Sequence, residues 1–143
     1  MKLVAGTWVE KAEADLATAK RELRARKSPN YDAACYHAQQ CAEKYLKAVL
    51  IEEGRNFKYK HDLAYLLNIL VEVNPLWEFL HLAAQFLSDN GARFRYPGNS
   101  ADKQLARDAV KAADLIRERM REHLRISEPT RSSTKKKGRK KRN

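Results

Sequence analysis

The sequence predicts an all-α protein, an up-down bundle of about five helices, and three observations carry that expectation. Apolar residues recur at spacings of three and four along most of the chain, with little of the β-branched alternation that marks strands. Only five Gly and four Pro interrupt 143 residues, and these fall where the periodicity pauses. Hydrophobic residues make up 43% despite a charged fraction of 33%, enough to close one core. The length suits a single domain, expected over residues 1–126, followed by a distinct tail over 127–143.

The first helix is expected from an N-cap at Thr7 to about Lys27, with Trp8, Ala12, Leu16, Ala19 and Leu23 inward. Ser28-Pro29 then reads as a cap followed by proline at the first helical position, starting a second helix that ends at Gly54. So short a turn implies antiparallel packing. At about 100° per residue, Ala34, Ala38, Cys41, Ala42, Tyr45, Leu46, Ala48 and Val49 share one arc of this second helix. His37, Gln40, Glu43, Lys44 and Lys47 gather opposite, as a polar face.

A basic, aromatic-bearing loop, Arg55 to His61, precedes a third helix marked by Leu63, Leu66, Leu67 and Leu70. Asn74-Pro75 closes it and opens a fourth helix, with Leu76, Phe79, Leu80, Ala83, Phe86 and Leu87 as its stripe and Asn90-Gly91 as a left-handed stop. Pro97 holds Tyr96 extended. Ser100 is the expected cap of a last helix with Leu105, Ala109, Ala112, Ile116 and Met120 inward, and with Asp114, Glu118 and Glu122 beside Arg117, Arg121 and Arg125 as a solvated ladder. Beyond Ile126 periodicity stops, and the run Lys-Lys-Lys-Gly-Arg-Lys-Lys-Arg predicts a disordered cationic tail.

Net charge is +11, of which +7 lies in residues 127–143. Such a tail releases counterions on contact with nucleic acid and so supports salt-sensitive, sequence-independent affinity. Cys35 and Cys41 lie about 240° apart on one helix and cannot pair, so free thiols and a reducing cytoplasm are expected. Neither a signal peptide nor a membrane span is read from the letters. His and Cys show no paired ligand spacing, so no metal or other cofactor is expected, and phosphate-binding glycine loops and nucleophile elbows are lacking.

The string His37-Ala-Gln-Gln-Cys-Ala-Glu-Lys-Tyr-Leu-Lys-Ala-Val-Leu, with Gly54, His61-Asp-Leu and Arg95-Tyr-Pro97, resembles the HEPN (higher eukaryote and prokaryote nucleotide-binding) domain family over residues 7–124. The resemblance implies a nucleotide- or RNA-binding module, a homodimer, and a toxin-like or substrate-binding role beside a minimal nucleotidyltransferase. Small residues on the second helix and an exposed Trp8 or Trp77 are the expected dimer contacts. A binding groove is expected from Gln40, Glu43, Lys44, Lys47, Arg95 and Tyr96, with His61 at its side. Guanidinium and ammonium groups grip phosphate, and a phenol stacks on a base. The alternative role for Arg95 is an ion pair with a carboxylate such as Glu43.

Many HEPN domains are described as metal-independent ribonucleases, in which an Arg and a His separated by four to six residues form the motif, often with a polar residue after the Arg. Arg55 with His61 has that spacing, as has Arg117 with His123. The His would move a proton at the RNA 2′-hydroxyl while the Arg stabilises phosphate charge. A dimeric scaffold without catalysis is the third reading.

Overall fold

The computed structural model describes residues 1–127, so all but the first residue of the expected tail lies outside them. Five α-helices follow in order: α1 (Leu3–Arg24), α2 (Tyr31–Glu52), α3 (Leu63–Val73), α4 (His81–Asn90) and α5 (Lys103–Leu124). A 3₁₀ segment, Pro75–Leu80, leads into α4, and another, Ala92–Arg95, follows it. No strand occurs among the described residues.

Helix α2 is the centre, packing against α1, α3, α4 and α5. Its small-residue arc is buried as expected, with Ala34, Ala38, Cys41, Ala42 and Ala48 wholly covered. The side read as a polar surface is also partly covered, because α3 and α4 close over it: Glu43 and Lys47 are only 2–3% exposed, and His37, Gln40 and Lys44 are half-buried. The small-residue face and Trp77 are covered within the subunit and cannot serve as dimer contacts, while Trp8 keeps part of its surface. Trp77 is buried edge-on against the His123 ring, and Trp8 is half-buried against the core with the Lys47 ammonium 5.5 Å from its centre.

Several helix ends differ from expectation for local reasons. α1 starts at Leu3, not Thr7, because the Lys2 amide donates to Glu52 Oε1 at 2.7 Å and ties the start of α1 to the end of α2. Thr7 lies inside the helix, its hydroxyl turned back on the carbonyls of Leu3 and Val4. Ser28 takes a left-handed conformation to make the turn, so Asn30 is the cap, its side chain accepting from the Ala33 amide at 2.9 Å. α5 is capped by Asp102 rather than Ser100, with Oδ1 accepting from the Leu105 amide at 2.8 Å. Gly54, in the left-handed region at φ 67°, closes α2 as expected.

The expected fourth helix is two elements. Its first six residues wind as 3₁₀, at about 120° per residue rather than about 100°. Trp77 and Leu80 therefore turn inward with Ala84 and Leu87, leaving Leu76 and Phe79 exposed beside Leu82. Gly91 is not left-handed (φ −87°). A Cβ there would lie 2.7 Å from Gln39 Cβ and Cγ, so glycine allows α4 to meet α2 closely.

The ladder on α5 is also redirected. Arg117 reaches α1, where Nε donates to Glu13 Oε2 at 2.6 Å, and Arg121 is buried with Nη1 donating to the Tyr45 hydroxyl at 3.1 Å. Asp114 pairs with Lys20, and Glu122 with Arg119. Since Ala106, Ala109, Val110, Ala113, Ile116 and Met120 form the buried stripe, Leu105 and Ala112 sit at its flanks.

Candidate functional site

A cleft of about 100 Å³ lies where α2, the α2–α3 loop, α4 and the second 3₁₀ segment meet. Its wall includes Tyr36, Gln39 and Gln40 of α2, His61 of the loop, Ser88 of α4 and Arg95. Each segment is fixed by its own local chemistry. Asp62 caps α3 through the Tyr65 amide, which sets His61 just outside the helix. Ser88 Oγ accepts from the Leu63 amide at 3.2 Å, joining α4 to the same turn. The approach of Gly91 to Gln39 brings the following 3₁₀ turn, and Arg95 with it, over α2.

Beneath the cleft runs a hydrogen-bonded chain. Gln40 Nε2 donates to Gln39 Oε1 at 2.8 Å, and Gln39 Nε2 donates to Glu43 Oε1 at 3.0 Å. Glu43 also receives Lys47 Nζ at 2.8 Å, and His61 Nδ1 lies 3.0 and 3.1 Å from its two oxygens. Facing Lys47 the carboxylate acts as an acceptor, so His61 Nδ1 is the donor to it, and Nε2 is the ring nitrogen turned away from that contact. The His61 side chain is 81% exposed, so Nε2 meets solvent at the cleft mouth.

Arg95 does not pair with Glu43, whose oxygens Gln39, Lys47 and His61 already occupy. Its guanidinium carbon instead lies 4.9 Å from the centre of the Tyr36 ring. On the far side of that stacked pair a second hollow of about 300 Å³ opens, walled by Asn30, Asp32, His37 and Phe94 together with Tyr36 and Arg95. Tyr96 follows in extended backbone and is 66% exposed.

The structure brings Gln40, His61 and Arg95 into one cleft and sends the other expected residues elsewhere. Glu43 and Lys47 form a buried pair below it rather than offering themselves to a ligand. Lys44 turns to α1, where Nζ is 2.5 Å from Asp15 Oδ2, and His37 Nδ1 is 2.8 Å from Asp15 Oδ1. Arg55 is held by Glu72 of α3 while His61 faces Glu43, so the two turn to different partners. The same is true of Arg117, bound to Glu13, and His123, whose Nε2 lies 2.8 Å from Glu53 Oε2. An unbroken α5 keeps these two on different sides.

Tyr36, Gln39 and Ser88 were not among the expected site residues. The 39–43–47 spacing of an amide, an acid and a cation is a legible i,i+4 series, and it could have marked a polar line crossing a buried helix. Ser88 left no such signal. No group of three or more His, Cys, Asp or Glu among the described residues could hold a metal, and no described helix is long and apolar enough to cross a membrane. Both cysteines are buried and free, and burial, reinforced by the Asp32 and Asp102 charges, pushes the Cys35 thiol up to about 11.

Known proteins share this architecture. A structure of TT1696 from Thermus thermophilus superposes with a TM-score of 0.71 at 28% identity, covering 82% of this chain and 96% of that one. ST0689, an archaeal HEPN homologue, gives 0.68 at 27% identity over 86% of this chain and 98% of its own. A HEPN domain protein of Thermotoga maritima, tm0613, gives 0.65 at 26% identity over 85% of this chain and 99% of its own. In sequence, a Methanocaldococcus jannaschii protein that carries the name "Putative toxin MJ1304" is 38% identical over 66 residues, a match spanning 46% of this chain and 41% of that protein. The HEPN domain family model matches residues 5–123, and with the bundle and its neighbours in agreement, the chain belongs to the HEPN domain family.

Proposed function

We propose that this chain is a cytoplasmic, toxin-like HEPN protein that binds a nucleotide or an RNA strand in the cleft beside Arg95. One observation carries the reading: Gln40, His61 and Arg95, drawn from three separate segments, line the same opening. The guanidinium offers paired donors to a phosphate, the exposed imidazole a further polar contact, and the amide of Gln40 can read a base edge. Tyr36 beneath Arg95 holds the cation in place without neutralising it, as a carboxylate would. The name of the archaeal relative supports the toxin-like part.

The partner of such a toxin-like protein would be a minimal nucleotidyltransferase, and its own form a homodimer. Exposed Leu76, Phe79 and Leu82 favour a partnered surface over a wholly wet one. The test is titration of labelled nucleotides and short RNA into the full chain and its Arg95→Ala variant at low salt. Saturable binding that Arg95→Ala weakens is the expected result; no binding by the full chain sinks the reading.

A second reading, metal-independent RNA cleavage, has its own observation: His61 Nδ1 is anchored 3.0 Å from Glu43 Oε1 while the rest of the ring is exposed at the cleft mouth. Nε2 would take the proton of a 2′-hydroxyl as O2′ attacks phosphorus. The bond to O5′ then breaks, O5′ takes a proton from water, and a 2′,3′-cyclic phosphate is left. Arg95 in the same cleft would stabilise the charge growing on the phosphate. RNA cut in the presence of chelator by the natural chain but not by His61→Ala supports it, and RNA left intact by the natural chain rejects it.

A further inference from the structure

A depression of about 580 Å³ opens between the end of α1, the turn after it and the first turn of α5, away from the residues that line the cleft. Arg24, Arg26, Lys103 and Arg107 stand around it, with Pro29 and Tyr31 as apolar wall, and no carboxylate lines it. The acids nearest in sequence are engaged otherwise. Glu22 Oε1 accepts from the Asn30 amide, Asp102 caps α5, and Asp108 accepts from Gln104. None of the four cations makes an ion pair among the described residues; Arg107 donates only to the Gln104 side chain, at 3.0 Å.

Helix stability explains Arg24, which sits in the last turn of α1 where a cation suits the macrodipole. It does not explain Lys103. A positive charge in the first turn of α5 opposes the dipole, and the acid beside it, the Asp102 cap, is turned to the Leu105 amide. Four cations stand around one hollow with no carboxylate in its wall, an arrangement that attracts an anion. An anion seated there would also offset the Lys103 charge at the helix start, and Pro29 with Tyr31 supplies a surface for the flat, apolar part of a nucleotide.

We propose that this depression is a second anion-binding site, built for contiguous phosphate groups: the phosphate chain of a nucleoside triphosphate or the backbone of a single RNA strand. Four cations exceed what a lone phosphate requires, and their long side chains suit a ligand with several negative charges in a row.

The test is Lys103→Glu in the full chain, with Lys11→Glu as control. Lys11 is exposed on α1, roughly 20 Å along the helix from Arg24, and its substitution changes net charge equally. Because an acid in the first turn of α5 favours the helix, Lys103→Glu should keep or raise the melting temperature, so lost binding cannot be ascribed to unfolding. Labelled ATP and a short single-stranded RNA are titrated over a salt series. For at least one probe, Lys103→Glu should weaken binding about tenfold and flatten the salt slope by about 0.7 per lost contact, with Lys11→Glu near the natural chain. Loss with ATP identifies a free polyphosphate, and loss with RNA alone a strand. Equal effects of the two substitutions, no effect of Lys103→Glu, or no binding of either probe by the natural chain overturns the proposal. Arg95→Ala, which empties the cleft of its cation, should leave the Lys103 dependence in place, so the two sites fail or stand separately.

Discussion

Lys47 and Glu43, one turn apart on α2, form an ion pair at 2.8 Å in which only 4% and 3% of the two side chains are exposed. A buried pair is far more sensitive to loss of one partner than its net contribution suggests, because the survivor is left charged without water. Lys47→Ala should therefore lower the free energy of unfolding by about 3–5 kcal/mol, measured by urea denaturation. Replacing both residues, Glu43→Gln with Lys47→Met, should cost less than the single change. A single variant with a natural midpoint would show that the carboxylate finds other compensation.

Arg95 contributes charge to the cleft but little to the core. Arg95→Ala should reduce nucleotide or RNA affinity with a melting temperature within a few degrees of the natural chain. Arg95→Lys should restore it only in part, since an ammonium lacks the planar pair of donors and the stacking on Tyr36. Full rescue by lysine would reduce the role of Arg95 to general attraction.

Gly91→Ala couples packing to the cleft. The added methyl would meet Gln39 Cβ and Cγ at 2.7 Å and the Leu87 carbonyl at 2.9 Å. Such overpacking costs about 1–3 kcal/mol. Since Gln39 also lines the cleft, ligand affinity should fall along with stability. Lost stability with unchanged affinity would separate the two.

Stability should fall at both ends of the pH scale. Burial would raise Glu13, but hydrogen bonds from Arg117 and Tyr45, then the charges of Arg117 and Arg121, hold its carboxyl below the ordinary 4.5. A lowered pKa in the folded state gives stability that is present above 4.5 and lost as pH falls through the folded value. At the alkaline end burial raises Cys35 to about 11, and burial likewise raises Cys41 and Tyr45. For Cys35 the contribution is intact below 9.0 and is lost between there and about 11, because the unfolded thiol ionises first. Melting temperature against pH should show a plateau with two falling limbs, the acid limb shallower in Glu13→Gln. An acid limb unchanged by that substitution would remove Glu13 as its cause.

The bundle was legible because each helix buries a periodic stripe, and periodicity is visible in letters. The groove was legible only in part, since Gln40, His61 and Arg95 meet across three segments while Lys44 and Lys47 look equally free in the sequence. What removes those lysines is tertiary: Asp15 on α1 claims one, and closure of α3 and α4 over α2 buries the other. Leu76 and Phe79 were misplaced because Pro75–Leu80 winds as 3₁₀ rather than α. The two windings differ by about 20° per residue, a shift that a hydrophobic pattern six residues long does not reveal. Family resemblance marked the Arg-Tyr-Pro triplet but not that its arginine lies over Tyr36.

Enclosure of α2 by four other helices has a consequence for how the molecule opens. Its amide protons, from about Ala38 to Leu50, can reach deuterated solvent only when the surrounding elements come away together, so they should exchange last and through whole-molecule unfolding. The loop bearing His61 is mostly exposed at the edge of that enclosure, so its own amides should exchange early. A ligand entering the cleft would then rest on the slowest-exchanging helix and a fast-exchanging loop at once.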